Sequence, residues 1–202
     1  MGVISRGFGS RRSAADPRVP PGQYRTEDFP VLSAGPTPRV DLASWAFDVT
    51  GVDGASHALS WTQLMELPDE EITVDIHCVT KWSKLDTRWR GVPISTVLDA
   101  TGTSRQDARY ALVHSYGGYT TNLPLEDLLD GKAWVVFEFD GKPIAPAHGG
   151  PARLLVPHLY FWKSAKWVNG IELLPRDQLG FWESLGYHAY GDPWREQRYI
   201  GD

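Results

Sequence analysis

Cysteine is the scarcest reactive residue of this 202-residue chain, which contains one, Cys78. A single thiol cannot close an internal disulfide or build a four-thiolate iron–sulfur site, and it gives neither a CxxC pair nor a CxxCH haem-attachment motif. Long apolar runs are missing too. No window approaches the roughly 18 consecutive apolar residues of a membrane span, so the chain reads as soluble, with no membrane partner expected. The pair Arg11-Arg12 resembles an export signal, but the following SAADPRVPPGQYRTE has no apolar stretch, which makes cytoplasmic the expected location. Positive charge is in short supply: the net charge of −5 argues against a nucleic-acid partner. Residues 1–25 hold five arginines against Asp16, a local +4 that leaves −9 for the remainder.

What is present points to one domain over residues 26–202, preceded by a disordered basic arm over 1–25 that is expected to stay outside the core. Nine tryptophans, 15 prolines and 20 glycines describe an irregular, loop-rich domain. That composition suits the enclosure of a planar ligand as well as it suits plain aromatic packing. The three prolines of Phe29–Pro38 (FPVLSAGPTP) rule out a helix there and leave an extended wall or lip. Ser44–Val49 reads as a strand closed by Gly51, and Ser60 with Gln63 has capping-box spacing for a short helix that Pro68 ends. Pro93 starts a helix bearing Ile94, Val97 and Leu98; Pro124 opens another with Leu125, Leu128 and Leu129 on one face. Tyr110–His114, Tyr119–Asn122 and Trp167–Leu174 read as strands, and Ala133–Phe139 pairs with Lys142–Ile144 across Asp140-Gly141. The class is therefore α+β, with mixed β-sheets, short helices and no regular βαβ repeat. The last 25 or so residues form an aromatic-rich irregular tail.

The chain is organised around Ile72–Ser83 (ITVDIHCVTKWS). Ile72, Val74 and Ile76 alternate with Thr73, Asp75 and His77, the period of a half-buried strand, which puts Cys78 on the inward side at its end. Lys81, Trp82, Ser83, Lys84 and Asp86 break the period and read as a polar loop. An inward thiol beside cations is placed to become a thiolate, although a lone cysteine also serves as a small buried hydrophobe. Two further stretches join it. HGGPAR sets His148 and Arg153 around two glycines, where backbone N–H groups and a guanidinium suit an anion. KSAKW adds Lys166.

Together these stretches resemble the oxidoreductase molybdopterin-binding domain of the sulfite oxidase family, over about Phe29 to Leu174. CVTKWS is similar to the bacterial reductase branch that includes the methionine sulfoxide reductase catalytic subunit; TRWRGVPI and HGGPARLLVP are similar to two further family elements. The resemblance implies a sulfite oxidase-type fold and a Mo-molybdopterin cofactor without an appended nucleotide. It implies Cys78 as the molybdenum ligand, His148 and Arg153 as pterin contacts, Ser164, Ala165 and Lys166 at the pterin phosphate, and Ser115 near a further contact. FPVLSAGPTP lacks the Arg, Asn and His of the sulfite oxidases, which leaves Leu32, Ser33 and Ala34 as backbone contacts. Lys81, Trp82, Tyr119 and Arg88 are candidates for the substrate mouth, and His57, His114, His158 and His188 read as structural or surface groups. The implied activity is molybdenum-dependent oxygen-atom transfer to or from a small substrate, sulfite-like or an S- or N-oxide. With no cluster, haem or dinucleotide motif in the sequence, a separate electron-transfer protein is expected as partner. Two other readings stand beside it: a cysteine hydrolase using Cys78 with His148 or His114 as base, and a non-catalytic cofactor-binding module.

Overall fold

The computed structural model describes residues 16–202, so Arg6, Arg11 and Arg12 of the basic arm lie outside the described residues. Strands β1 (Tyr24–Arg25), β2 (Ala46–Thr50), β3 (Ser56–Ser60), β4 (Glu70–His77), β5 (Trp82–Pro93), β6 (Tyr110–Ser115), β7 (Thr120–Pro124), β8 (Trp134–Phe139), β9 (Lys142–Pro143), β10 (Arg153–Leu155) and β11 (Val168–Leu174) form two sheets. One runs β1-β5-β8-β10 with β4 on β5 and β9 on β8; the other runs β3-β2-β11-β6-β7. The pairs β1–β5 and β2–β11 are parallel and the rest antiparallel, the mixed α+β arrangement expected.

Period-two alternation divides the interior into two cores. Along β8, Val135 and Phe137 enter one core while Trp134 and Val136 enter the other, and along β10 Leu154 and Leu155 divide in the same way. The first core lies against β2, β6 and β11 of the second sheet and takes in Leu64 of α1 (Trp61–Glu66) with Ile94, Val97 and Leu98 of α2 (Ile94–Thr101). The second core holds Cys78, Trp82, Trp89, Phe161 and Trp162. Cys78 and Trp82 of the site belong to this aromatic core, while Ala165 belongs to the first core and Tyr119 packs against it.

Local chemistry explains the short helices. Ser60 Oγ accepts from the Gln63 N–H at 3.3 Å while Gln63 Oε1 accepts from the Ser60 N–H at 2.9 Å, and Gly102 at φ 65 closes α2. The helix expected after Pro124 shrinks to a 3₁₀ turn, Leu125–Asp127.

Two expectations are corrected. The stretch Lys81–Asp86 is not a polar loop, because Lys81, at φ 76, completes a tight turn and Trp82 starts β5. The Lys81 N–H donates to the Cys78 carbonyl at 3.0 Å and the Cys78 N–H donates to the Trp82 carbonyl at 2.8 Å. Asp86, Arg88 and Arg90 face solvent between buried Leu85, Thr87 and Trp89, so the start of this amphipathic strand carries a charged outer face that resembles a loop in sequence. The expected arm boundary at residue 25 also moves. Tyr24–Arg25 pairs with Trp82–Ser83, Arg18 forks onto Asp86 at 2.7 and 3.0 Å, and Gln23 Nε2 donates to the Cys78 carbonyl at 3.1 Å.

Candidate cofactor site

At the end of the β4–β5 hairpin a cavity of about 520 Å³ opens, walled by the extended segment 29–38, the turn Cys78–Thr80, the bend Tyr116–Tyr119, the stretch Phe161–Trp167 and the C-terminal residues 181–187. Cys78 is 6% exposed, and Thr80 Oγ1 donates to its Sγ at 3.2 Å. Burial pushes the thiol pKa up; the Thr80 hydroxyl, the Thr80 and Val79 N–H groups and the Arg153 charge pull it down. The turn thus presents a desolvated thiol ringed by groups that favour its anion, and coordination of a metal would complete its deprotonation.

A cationic arc faces this thiol. Arg153 is 1% exposed, and its Nη1 and Nη2 donate to the carbonyls of His148 at 2.7 Å and Ser164 at 2.6 Å. Its guanidinium lies 4.1 Å from the centroid of Phe161. Burial lowers its pKa to about 9. Lys166 Nζ donates to the Leu32 carbonyl at 2.6 Å, Ser33 Oγ at 3.1 Å and the Ala147 carbonyl at 2.7 Å; burial, then the Arg153 charge, bring its pKa to about 8. His148 stacks on Phe29 at 4.1 Å, and burial followed by Lys166 and Arg153 lowers its pKa. The glycines of HGGP permit this crowding. Gly149 sits at φ 108, and a Cβ on Gly150 would meet the Ile144 carbonyl oxygen at 1.9 Å.

Of the residues singled out from the sequence, Leu32, Ser33, Ala34, Cys78, Trp82, Tyr119, His148, Arg153, Ser164, Ala165 and Lys166 all line this one cavity. Three do not. Lys81 is exposed in the turn, outside the lining; Ser115 is buried one residue before the lining bend; Arg88 faces solvent beside Asp140 at 3.2 Å. The reason is directional: a positive-φ turn and strand alternation point Lys81 and Arg88 away. Ser164 Oγ accepts from the Val156 N–H at 2.9 Å, so its hydroxyl oxygen also braces the backbone.

Sequence reasoning missed an aromatic wall. Tyr119 donates its hydroxyl to the Trp162 carbonyl at 2.7 Å, and Phe181, Trp182 and Tyr187 continue the wall from the tail. Burial raises the Tyr119 pKa well above its ordinary value. The tail is anchored by Glu183 of α3 (Phe181–Ser184), whose Oε1 lies 2.6 Å from Lys163 Nζ with both side chains fully buried. Thr121 Oγ1 and Trp162 Nε1 donate to the same oxygen at 2.9 Å each. The dense FWESLGY run was the available signal.

The donor set indicates the class of ligand. His148 Nδ1, Arg153 Nε and Trp82 Nε1 are buried around the cavity without hydrogen-bond partners, a pattern that suits a polar, anionic group. Among the described residues no cluster of three or more His, Cys, Asp or Glu could hold a metal, so a metal at Cys78 would have to bring most of its ligands with it. A metal carried on a large anionic organic cofactor meets both conditions, and the residues fit such a group. The hydrolase reading is poorly served: no histidine is hydrogen-bonded to Cys78 among the described residues, His148 is stacked on Phe29, and His114 lies on the other sheet 3.5 Å from Glu172.

A recessed thiol facing a cationic arc in an aromatic-walled cavity suits a large anionic cofactor. Residues 34–182 match the family model described as the oxidoreductase molybdopterin binding domain. Over 194 residues, 96% of this chain and 98% of the relative, the sequence is 42% identical to the uncharacterized oxidoreductase YuiH of Bacillus subtilis (strain 168). It is 28% identical to the putative protein-methionine-sulfoxide reductase subunit YedZ1 of Azospira oryzae, over 76% of this chain and 58% of that protein. To human mitochondrial sulfite oxidase it is 25% identical, over 85% of this chain but only 38% of that enzyme. The crystal structure of the sulfane dehydrogenase SoxCD from Paracoccus pantotrophus superposes with a TM-score of 0.62 at 17% identity, covering 69% of this chain and 40% of that one, a likeness of fold alone. This chain belongs to the oxidoreductase molybdopterin-binding family. It is a molybdopterin-binding oxidoreductase domain related to sulfite oxidase and to sulfoxide reductase, and the cofactor of that family is Mo-molybdopterin.

Proposed function

We propose that the chain catalyses oxygen-atom transfer to or from a small substrate at a molybdenum held by Cys78. The observation that carries this is the meeting, in one cavity, of a buried thiol and the arc of His148, Arg153 and Lys166. The bound cofactor supplies the oxygen-atom and two-electron chemistry; the protein orients it and tunes its charge. In this reading Cys78 gives the metal its soft protein ligand. Arg153, Lys166, Ser164 and Ala165 hold the phosphate end, His148 and the backbone of Leu32–Ala34 flank the pterin, and Trp82 and Tyr119 border the substrate.

In the reducing direction a sulfoxide, two protons and two electrons give a thioether and water. The electrons then come from a separate redox protein, a reading supported by the Azospira relative, a putative protein-methionine-sulfoxide reductase subunit. Coupling to that protein is expected to weaken with salt, because small charged contacts are screened over about 10 Å. A cytoplasmic location is part of the proposal and is tested by cell fractionation.

The direct experiment measures molybdenum and pterin in purified protein, then turnover with reduced and oxidised dyes. Stoichiometric cofactor and dye-dependent turnover support the proposal. Metal-free protein that hydrolyses esters would favour the hydrolase; loaded protein without any turnover would favour a carrier module.

A further inference from the structure

The turn that carries Cys78 is held from behind by parts of the chain that the family match, residues 34–182, does not cover. On the N-terminal side, Gln23 Nε2 donates to the Cys78 carbonyl at 3.1 Å and the Tyr24 N–H donates to the Lys81 carbonyl at 2.8 Å. Among the described residues, these are the two hydrogen bonds that reach the turn Cys78–Lys81 from outside its own hairpin. The C-terminal side closes over them. Arg198 Nη2 donates to the Pro21 carbonyl at 3.4 Å, Nη1 donates to Glu196 Oε1 at 3.0 Å, and Trp194 meets the His77 ring edge-on at 6.1 Å. Gly22, at φ 69, lets the two ends approach, since a Cβ there would meet Glu196 Oε1 at 2.8 Å.

The Cys78 carbonyl accepts twice, from the Lys81 N–H at 3.0 Å and from Gln23, so a side chain distant in sequence fixes the peptide next to the thiol. Within the same turn Thr80 Oγ1 donates to Cys78 Sγ at 3.2 Å, a bond whose geometry depends on the turn keeping its shape. A hydrogen bond to a ligating sulfur draws electron density away from the metal and raises its potential, and the groups that orient a ligand act on the metal in the same way. Gln23 is absent from the cavity lining. Its influence therefore travels through the backbone of one turn.

We propose that Gln23 is a positioning residue for Cys78, holding the turn in the shape in which Thr80 donates to the ligand sulfur, with segments 16–25 and 194–198 as the brace behind it. This rests on the oxygen-transfer reading above in taking Cys78 as the metal ligand.

The test compares the full chain with Gln23→Met, which removes the donor at similar volume, with Thr80→Val and Thr80→Ser, and with the double variant Gln23→Met/Thr80→Val. In cofactor-free protein the alkylation rate of Cys78, the one cysteine, by iodoacetamide reads how often the turn opens. Gln23→Met should raise it about threefold or more. In loaded protein, with molybdenum measured on every sample, the Mo(V) paramagnetic resonance spectrum and a redox titration read the sulfur. At one applied potential the oxidised-to-reduced ratio should rise about three- to tenfold in Thr80→Val, the weight of one hydrogen bond, and about two- to threefold in Gln23→Met. Thr80→Ser should stay near wild type. The double variant should add little to Thr80→Val, because Gln23 acts through that hydroxyl. A spectrum and ratio unchanged in Gln23→Met would overturn the inference, even with lowered stability in urea, and so would fully additive shifts in the double variant. Wild-type protein without molybdenum would instead overturn the oxygen-transfer reading. Alkylation then decides the brace alone, and an unchanged rate in Gln23→Met would overturn it.

Discussion

On the proposed reading Arg153 has two roles through one guanidinium, bracing the fold and holding the cofactor's anionic end. From sequence, its loss should empty the cofactor site before it harms the fold. Its forked bonds to the His148 and Ser164 carbonyls change that, because charge-assisted bonds contribute roughly 1.5–3 kcal/mol each and both acceptors would be orphaned. Arg153→Ala is therefore expected to destabilise the cofactor-free protein by about 2–4 kcal/mol in urea unfolding. It is also expected to lower cofactor content. Arg153→Lys should keep part of the content, having the charge but not the fork. Lys166 is the cleaner probe of anion binding. Its folded pKa, about 8, lies below its ordinary 10.5, so between these values the unfolded chain binds more protons than the folded one. Its contribution to stability is then fully present above pH 10.5 and lost as pH falls through 8. Cofactor-free wild type should gain stability from pH 8 to 10 relative to Lys166→Met; parallel stability curves would show that Lys166 does not titrate in this window.

At the scale of elements, α3 and the tail depend on one buried pair. Lys163→Met leaves the Glu183 carboxylate buried beside Thr121 and Trp162, so unfolding experiments should find about 3–5 kcal/mol lost. The double variant Lys163→Met/Glu183→Gln should recover much of that, and additive losses would deny the coupling. Strands β5 and β8 press together at Gly91, where a Cβ would meet the Val135 carbonyl oxygen at 2.5 Å and the Val136 Cα at 2.6 Å. Backbone cannot yield as a side chain does, and Gly91→Ala should lower stability by about 2 kcal/mol or more. Legibility in the sequence followed the same physics. The capping box of α1, the Asp140-Gly141 hairpin and the inward register of Cys78 are local rules, and all three can be read from a few residues. The N-terminal half of β5 could not, because its charged outer face mimics a loop and its pairing with β4 and β1 is long-range. For the same reason the strand at Tyr24–Arg25 is invisible in local sequence, since its partner is Trp82–Ser83. The cationic arc was legible through HGGPAR and KSAKW. The aromatic wall was only hinted at by the dense FWESLGY run, since nothing local tells a tail that folds back from one that hangs free.

For the whole molecule, two cores on either side of one sheet separate stability from chemistry. The first core is mainly aliphatic, with Trp45, Phe47 and Phe137 among its members, and lies between the two sheets; the second is rich in aromatics and reaches the cavity. Among the described residues no helix is long and apolar enough to cross a membrane. Among the described residues one cavity is lined by Cys78, by the cationic residues His148, Arg153 and Lys166 and by the aromatic residues Phe181, Trp182 and Tyr187. Everything proposed for function rests on that thiol reaching a metal. X-ray absorption at the molybdenum edge, on cofactor-loaded wild type and Cys78→Ser, tests it most directly. The expected result is one sulfur ligand fewer in the variant, together with loss of turnover and retention of pterin through Arg153 and Lys166. An identical sulfur count in both proteins, with activity preserved in Cys78→Ser, would contradict it.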